Sequence, residues 1–254
     1  YQQAGYLVVE GLFSEEEVAF YRDHYMQMRD KGAYPGDDAG VDSTSEDPLR
    51  RYPRLIHMHR WDEISLNWML DPRLNEILTG LTGAEPYAVQ TMLYFKPPQA
   101  RGQALHQDNY YLRAQPGTCI AAWMALDACD VENGCLEVVP GSQSDPTLCI
   151  IDADTKTSFT DVTVELRPGQ QAVPIEMSAG SVLFFNGQLI HGSRPNTSHT
   201  RFRRALIGHY IEGDAQEVSK WYHPALRMDG TVIELEASAD GEKCGVWNEA
   251  QGAF

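Results

Sequence analysis

Tyr87-Ala88-Val89-Gln90-Thr91-Met92-Leu93-Tyr94-Phe95, stopped by Pro97-Pro98, is the stretch whose reading decides the fold. It is apolar, aromatic and β-branched, and paired prolines end it, so it reads as a strand. Similar short runs follow at residues 119–126, 135–139, 182–185 and 203–211. Turn signals separate them: Pro116-Gly117, Asn133-Gly134, Pro140-Gly141-Ser142, Pro168-Gly169 and Ala179-Gly180. Many short strands punctuated in this way indicate an all-β sandwich or barrel.

The residues before Tyr87 carry a different period. Ser14 stands before Glu15, Glu16 and Glu17, the pattern of a capped helix start with acids in its first turn. Val18, Tyr21, Tyr25 and Met28 continue at helical spacing, and Leu66, Met69, Leu74, Ile77, Leu78 and Leu81 suggest a second stretch interrupted near Pro72. Between them, residues 32–47 are rich in Gly, Asp and Ser and read as a mobile loop. The expected fold is mainly β with N-terminal helices. One domain is expected over residues 1–254: a mostly helical cover (1–86), a β-core (87–211) and a C-terminal extension (212–254).

Composition narrows the function. The chain has 254 residues, 43% of them hydrophobic and 22% charged, which excludes intrinsic disorder. A net charge of −16 argues against nucleic acid or an anionic membrane as partner. No run of about 18 apolar residues provides a transmembrane helix. Cys119, Cys129, Cys135, Cys149 and Cys244 show no tight repeated spacing and are expected to be reduced thiols of a cytoplasmic protein. The chain opens at Tyr1 rather than Met, so residues are expected to precede it.

His106-Gln107-Asp108 offers an imidazole and a carboxylate which, on a strand, would share a face and could bind one cation. About one such triplet is expected by chance in this composition, so context must decide. His191 follows the apolar run 182–185, and two His plus one carboxylate on adjacent strands make a facial triad suited to non-haem Fe(II). Phe202-Arg203-Arg204-Ala205 then opens a strand on which Arg201, Arg203, Ala205 and Ile207 share one face. An arginine in a core strand needs an anion, most naturally a carboxylate.

Taken in order, Tyr94-Phe95-Lys96-Pro97-Pro98, Leu105-His106-Gln107-Asp108, Trp123, Asn133-Gly134-Cys135-Leu136, Pro140-Gly141-Ser142, His191-Gly192-Ser193 and Phe202-Arg203 resemble the phytanoyl-CoA dioxygenase family of Fe(II)/2-oxoglutarate oxygenases. The likeness covers roughly residues 5–211. It implies a double-stranded β-helix, the cupin-like jelly roll. It also implies that His106, Asp108 and His191 hold iron for a reaction with O2, and that Arg203 binds the distal carboxylate of 2-oxoglutarate. Met92, Gln107, Trp123 and Ser193 are the further co-substrate contacts it implies. Gln143 stands where many relatives have His, and Arg201 competes with Arg203.

The expected activity is hydroxylation of a small-molecule substrate with release of succinate and CO2. The carboxylate of Asp108 leaves no vacancy for a halide, which argues against halogenation, while desaturation and ring formation stay open. A cupin-like metalloenzyme that uses no keto acid, or a jelly-roll binding module, stays open as an alternative. Arg51, Arg54, His57 and Arg60 form a basic cluster within an acidic chain. It reads either as a solvated loop neutralised by Asp47 and Asp62, or as an arginine-lined closure that meets an anionic substrate.

Overall fold

Local signals become elements much as the patterns require. The computed structural model describes residues 1–32, 34–35, 40–239 and 244. Its elements begin with β1 (Tyr6–Val9), α1 (Glu15–Asp30), α2 (Pro48–Arg51), β2 (Leu55–Ile56), α3 (Glu63–Met69) and α4 (Pro72–Thr82). The core follows: β3 (Tyr87–Tyr94), β4 (Gln103–His106), α5 (Asn109–Leu112), β5 (Cys119–Ala125) and β6 (Leu136–Val138). Then come β7 (Ile150–Asp152), β8 (Val162–Val164), β9 (Val173–Ile175), β10 (Val182–Asn186), β11 (His191–Ser193) and β12 (Ala205–Ile211).

Ser14 caps α1 reciprocally, its hydroxyl accepting from the Glu17 amide while the Glu17 carboxylate accepts from its own. Pro72 starts α4, with Asp71 as its cap, so the expected interruption is a boundary between two helices.

Two antiparallel sheets face each other. The larger runs β1-β10-β5-β12-β3, extended past β3 by Ala225–Leu226 and Val232–Ile233, with β2 also paired to β3; the smaller runs β4-β11-β6-β9. This is the jelly roll. Alternation divides the large sheet cleanly. Ile120, Ala122, Met124 and Leu206 join Val18 and Tyr25 of α1, Trp68 of α3 and Leu74 of α4 in one core. Ala121, Trp123, Ala205 and Ile207 face the other way, against Leu136, Val138 and Ile175 of the small sheet. The N-terminal segment is not only a cover: β1 pairs with β10, Tyr6 opposite Phe185 and Val9 opposite Val182, and so belongs to the sheet.

Two expectations need correction or limit. Cys149 and Cys244 are joined in a disulfide across 95 residues, whereas all five cysteines were expected reduced. Pairing over that distance leaves no spacing pattern to read. Cys119, Cys129 and Cys135 are free and buried. The expected mobility of residues 32–47 falls partly outside the described residues, as does most of the extension after 239. Where described, the loop is tied down: Asp47 caps α2 and pairs with Arg101 at 2.9 Å.

Candidate metal centre

His106 ends β4 and His191 begins β11, and the register places them directly opposite each other. Their rings lie 4.2 Å apart, centre to centre. Gly192 permits this closeness, because a Cβ there would come within 2.8 Å of the Gln103 carbonyl oxygen. Asp108 arrives differently from the strand alternation expected for it. The chain leaves β4 at His106, and Asp108 has helical backbone angles at the head of α5. The carboxylate still joins the imidazoles, with Oδ1 3.5 Å from His106 Nε2 and 3.6 Å from His191 Nε2.

Both rings are oriented by the same device. His106 Nδ1 donates to the Ala104 carbonyl at 2.9 Å and His191 Nδ1 to the Leu189 carbonyl at 3.0 Å. A carbonyl only accepts, so the proton sits on Nδ1 and the Nε2 lone pair is left for a cation. Burial pulls His191 down to about 4, which keeps its imidazole neutral near pH 7. For Asp108, burial opposes the charge, yet His191 and His209, the latter with a hydrogen bond as well, hold the carboxyl well below the usual range. The three donor atoms lie within 4.8 Å of one another. Two imidazoles and one carboxylate, all buried, fit a divalent transition metal with open positions.

The triad opens into a cavity of about 320 Å³ walled by Met92, Trp123, Tyr94, Tyr111 and Phe185 among others. Met92 and Trp123 thus share the cavity with the triad. Arg203 is 4% exposed and carries its guanidinium 5.2 Å over the Trp123 ring, outside the cavity lining. Its Nε donates to the Gly134 carbonyl at 3.1 Å, and no carboxylate among the described residues pairs with it. Arg201 is different: it lies at the surface, bound to Asp130 at 2.6 Å and Glu132 at 3.1 Å.

Ser193 is buried, with its hydroxyl accepting from Lys96 Nζ at 2.8 Å, and it faces a smaller neighbouring pocket. Gln107 points away from the metal centre. Its amide donates to the Pro146 and Gln188 carbonyls and accepts from the Leu148 amide, so the side chain leaves the cavity lining.

The basic cluster separates. Arg54 alone of its four members lines the cavity. Arg51 donates to the Ser45 and Glu46 carbonyls, and Arg60 to those of Trp221 and His223, so both fasten chain segments. His57 sits beside Tyr222 with left-handed backbone angles, and burial pulls it down to about 4. A common anion-binding surface for all four is not formed.

Two residues went unread. His209 lines the cavity and meets Asp108 at 3.2 Å; it shares a strand face with Ala205 and Ile207, so alternation carried one step further identifies it. Lys96 is buried, and its ammonium holds Ser193, the Gly134 carbonyl and the Arg194 carbonyl together. Its only sequence signal is its place before Pro97-Pro98.

Comparison with known proteins agrees with this geometry. The model of the phytanoyl-CoA dioxygenase (PhyH) family matches residues 1–205. The chain is 26% identical to the peroxisomal phytanoyl-CoA dioxygenase of Rattus norvegicus over 92% of its length and 73% of that protein's. It is 29% identical to phytanoyl-CoA dioxygenase 1 of Oryza sativa subsp. japonica over 73% of its length, and spans about 65% of the rice protein. Among solved structures, the non-heme alpha-ketoglutarate-dependent carbocyclase of nogalamycin biosynthesis shares the fold at TM-score 0.66 and 23% identity, over 85% of this chain and 83% of that one. EvdO2 of Micromonospora carbonacea var. aurantiaca, complexed with 2-oxoglutarate, does so at 0.64 and 22%, over 84% and 88%. The cytoplasmic expectation is overturned: the relatives from rat, cattle, mouse and human are described as peroxisomal. Charge and cysteine spacing do not tell one aqueous compartment from another. Among the described residues, no helix is long and apolar enough to cross a membrane.

Proposed function

Since the chain belongs to the phytanoyl-CoA dioxygenase family of Fe(II)/2-oxoglutarate oxygenases, we propose that it hydroxylates a C–H bond of a small, anionic substrate as one catalytic domain. Iron(II), 2-oxoglutarate and dioxygen together supply the oxidation when bound, converting the keto acid to succinate and CO2 while one oxygen atom enters the substrate.

The chain's own residues bind, orient and shelter. His106 Nε2, His191 Nε2 and Asp108 Oδ1 would hold the iron, with both imidazoles fixed by their Nδ1 hydrogen bonds to Ala104 and Leu189. Arg203 would take the distal carboxylate of 2-oxoglutarate, assisted by Ser193, with Met92 and Trp123 as walls. The observation that carries this reading is the buried Arg203, which has no carboxylate partner among the described residues, in the same fold as a buried His-Asp-His set. Arg54, the one member of the basic cluster on the cavity wall, would meet an acidic group of the substrate. Tyr94, Tyr111 and Tyr222 line the same space and would help keep water from it.

The test is succinate release by the iron-loaded protein from labelled 2-oxoglutarate, against a panel of small carboxylates, phosphates and neutral analogues. Succinate formed together with a hydroxylated acid supports the proposal. Substrate conversion without succinate points to a metalloenzyme that uses no keto acid, and turnover of neither points to a binding module.

A further inference from the structure

The two oxygens of the Asp108 carboxylate have different partners. Oδ1 faces His106 and His191 at 3.5 and 3.6 Å, while Oδ2 accepts from His209 Nε2 at 3.2 Å. We propose that His209 is a positioning residue that occupies Oδ2 and so restricts Asp108 to one-oxygen ligation of the metal; this rests on the iron reading above.

Three observations support it. The hydrogen bond has a definite sense, because an ionised carboxylate only accepts: the proton must sit on His209 Nε2. The imidazole cannot readily turn away, since His209 is 5% exposed and lies on β12 between its partners Gln90 on β3 and Ala121 on β5. Its register slips just afterwards, where Tyr210 faces Ala88 rather than the next residue of β3. Among the described residues Nδ1 finds no partner, so the ring's hydrogen bond there is the one to Asp108.

The consequence is chemical. A carboxylate with both oxygens free can chelate a cation through the pair, which removes one of the three open positions that a keto acid and dioxygen require. With Oδ2 engaged, only Oδ1 is presented. Groups that orient metal ligands in this manner typically change metal affinity 10- to 100-fold when removed.

The experiment compares His209→Leu, which keeps bulk without a donor, with His209→Gln, whose amide nitrogen reaches about as far as imidazole Nε2. Co(II) affinity is measured by chelator competition, and the visible spectrum of the Co(II)-loaded protein reports its coordination. Thermal stability of the metal-free proteins is measured alongside. We expect His209→Leu to bind Co(II) about 10- to 100-fold more weakly and with an altered spectrum, and His209→Gln to restore both. Equal affinity and spectrum in wild type and His209→Leu overturn the proposal, as does a His209→Gln protein no better than His209→Leu. Should His209→Leu fail to fold, His209→Asn takes its place: its shorter amide does not reach Oδ2, and binding equal to that of His209→Gln contradicts the role. A wild-type protein that binds no Co(II) instead removes the metal centre itself.

Discussion

Arg203 lies with its guanidinium 5.2 Å over the ring of Trp123, buried and without a carboxylate partner among the described residues. Two residues earlier in the chain, Arg201 is already satisfied at the surface by Asp130 and Glu132. Two arginines that sequence parity cannot separate are thus separated by their partners.

Loss of Arg203 should therefore weaken 2-oxoglutarate strongly. Removing one partner of a buried charge pair costs about 3–5 kcal/mol, a hundreds- to thousands-fold change in affinity. Arg201→Ala, which breaks an exposed pair, should shift the 2-oxoglutarate KM by no more than a few-fold. A larger rise in Arg201→Ala than in Arg203→Ala would assign the anchor to the wrong residue.

His106→Ala, Asp108→Ala and His191→Ala should each abolish iron-dependent turnover while leaving the circular dichroism spectrum close to wild type. Co(II), Ni(II) and Cu(II) bind such N/O sites more tightly than Fe(II) and should inhibit. Full activity with wild-type iron affinity in any one variant excludes that residue from the centre.

Acid sensitivity should come from the histidines beside the site. Burial pulls His57 to about 4 and His59 to about 3, from an ordinary value of 6.5. The unfolded chain takes up these protons as pH falls below about 6.5, and the folded chain does not until much lower. Their contribution to stability is complete above 6.5 and declines as pH drops toward 4. Melting curves of the metal-free protein between pH 6.5 and 5 should show that fall, and the double variant His57→Gln/His59→Gln should flatten it. An unchanged slope in the double variant contradicts this origin.

Arg54 should act on substrate, unlike Arg51 and Arg60. Arg54→Ala should raise the KM of whichever acid supports succinate release at least tenfold, and added salt should raise it in wild type. Arg51→Ala and Arg60→Ala remove donors to backbone carbonyls, so their effect should appear in melting temperature. A neutral substrate, with Arg54→Ala behaving as wild type, would leave Arg54 a structural group.

What the sequence disclosed follows the range of the interactions involved. Ser14 and Pro72 act within one helical turn, and strand alternation extends over a few residues, so caps, boundaries and the inward face of β12 were legible. The His106, Asp108 and His191 cluster was legible as a pattern, but the exit from β4 that brings Asp108 into place depends on α5. Tyr6–Val9 is too short to announce its pairing with β10, some 175 residues on, and was absorbed into the helical cover. Arg51 and Arg60 looked like neighbours of Arg54 because charge is visible in sequence and hydrogen-bond partners are not. The Cys149–Cys244 pair was hidden for the same reason.

The central claim is that His106, Asp108 and His191 with Arg203 form one site for a metal and a keto acid. Calorimetric titration of 2-oxoglutarate into the Mn(II)-loaded protein tests it most directly, since no turnover intervenes. The account predicts one equivalent bound when metal is present, and no detectable binding in Asp108→Ala or Arg203→Ala at the same concentrations. Binding of equal strength without metal, or no binding by the Mn(II)-loaded wild type, would contradict it.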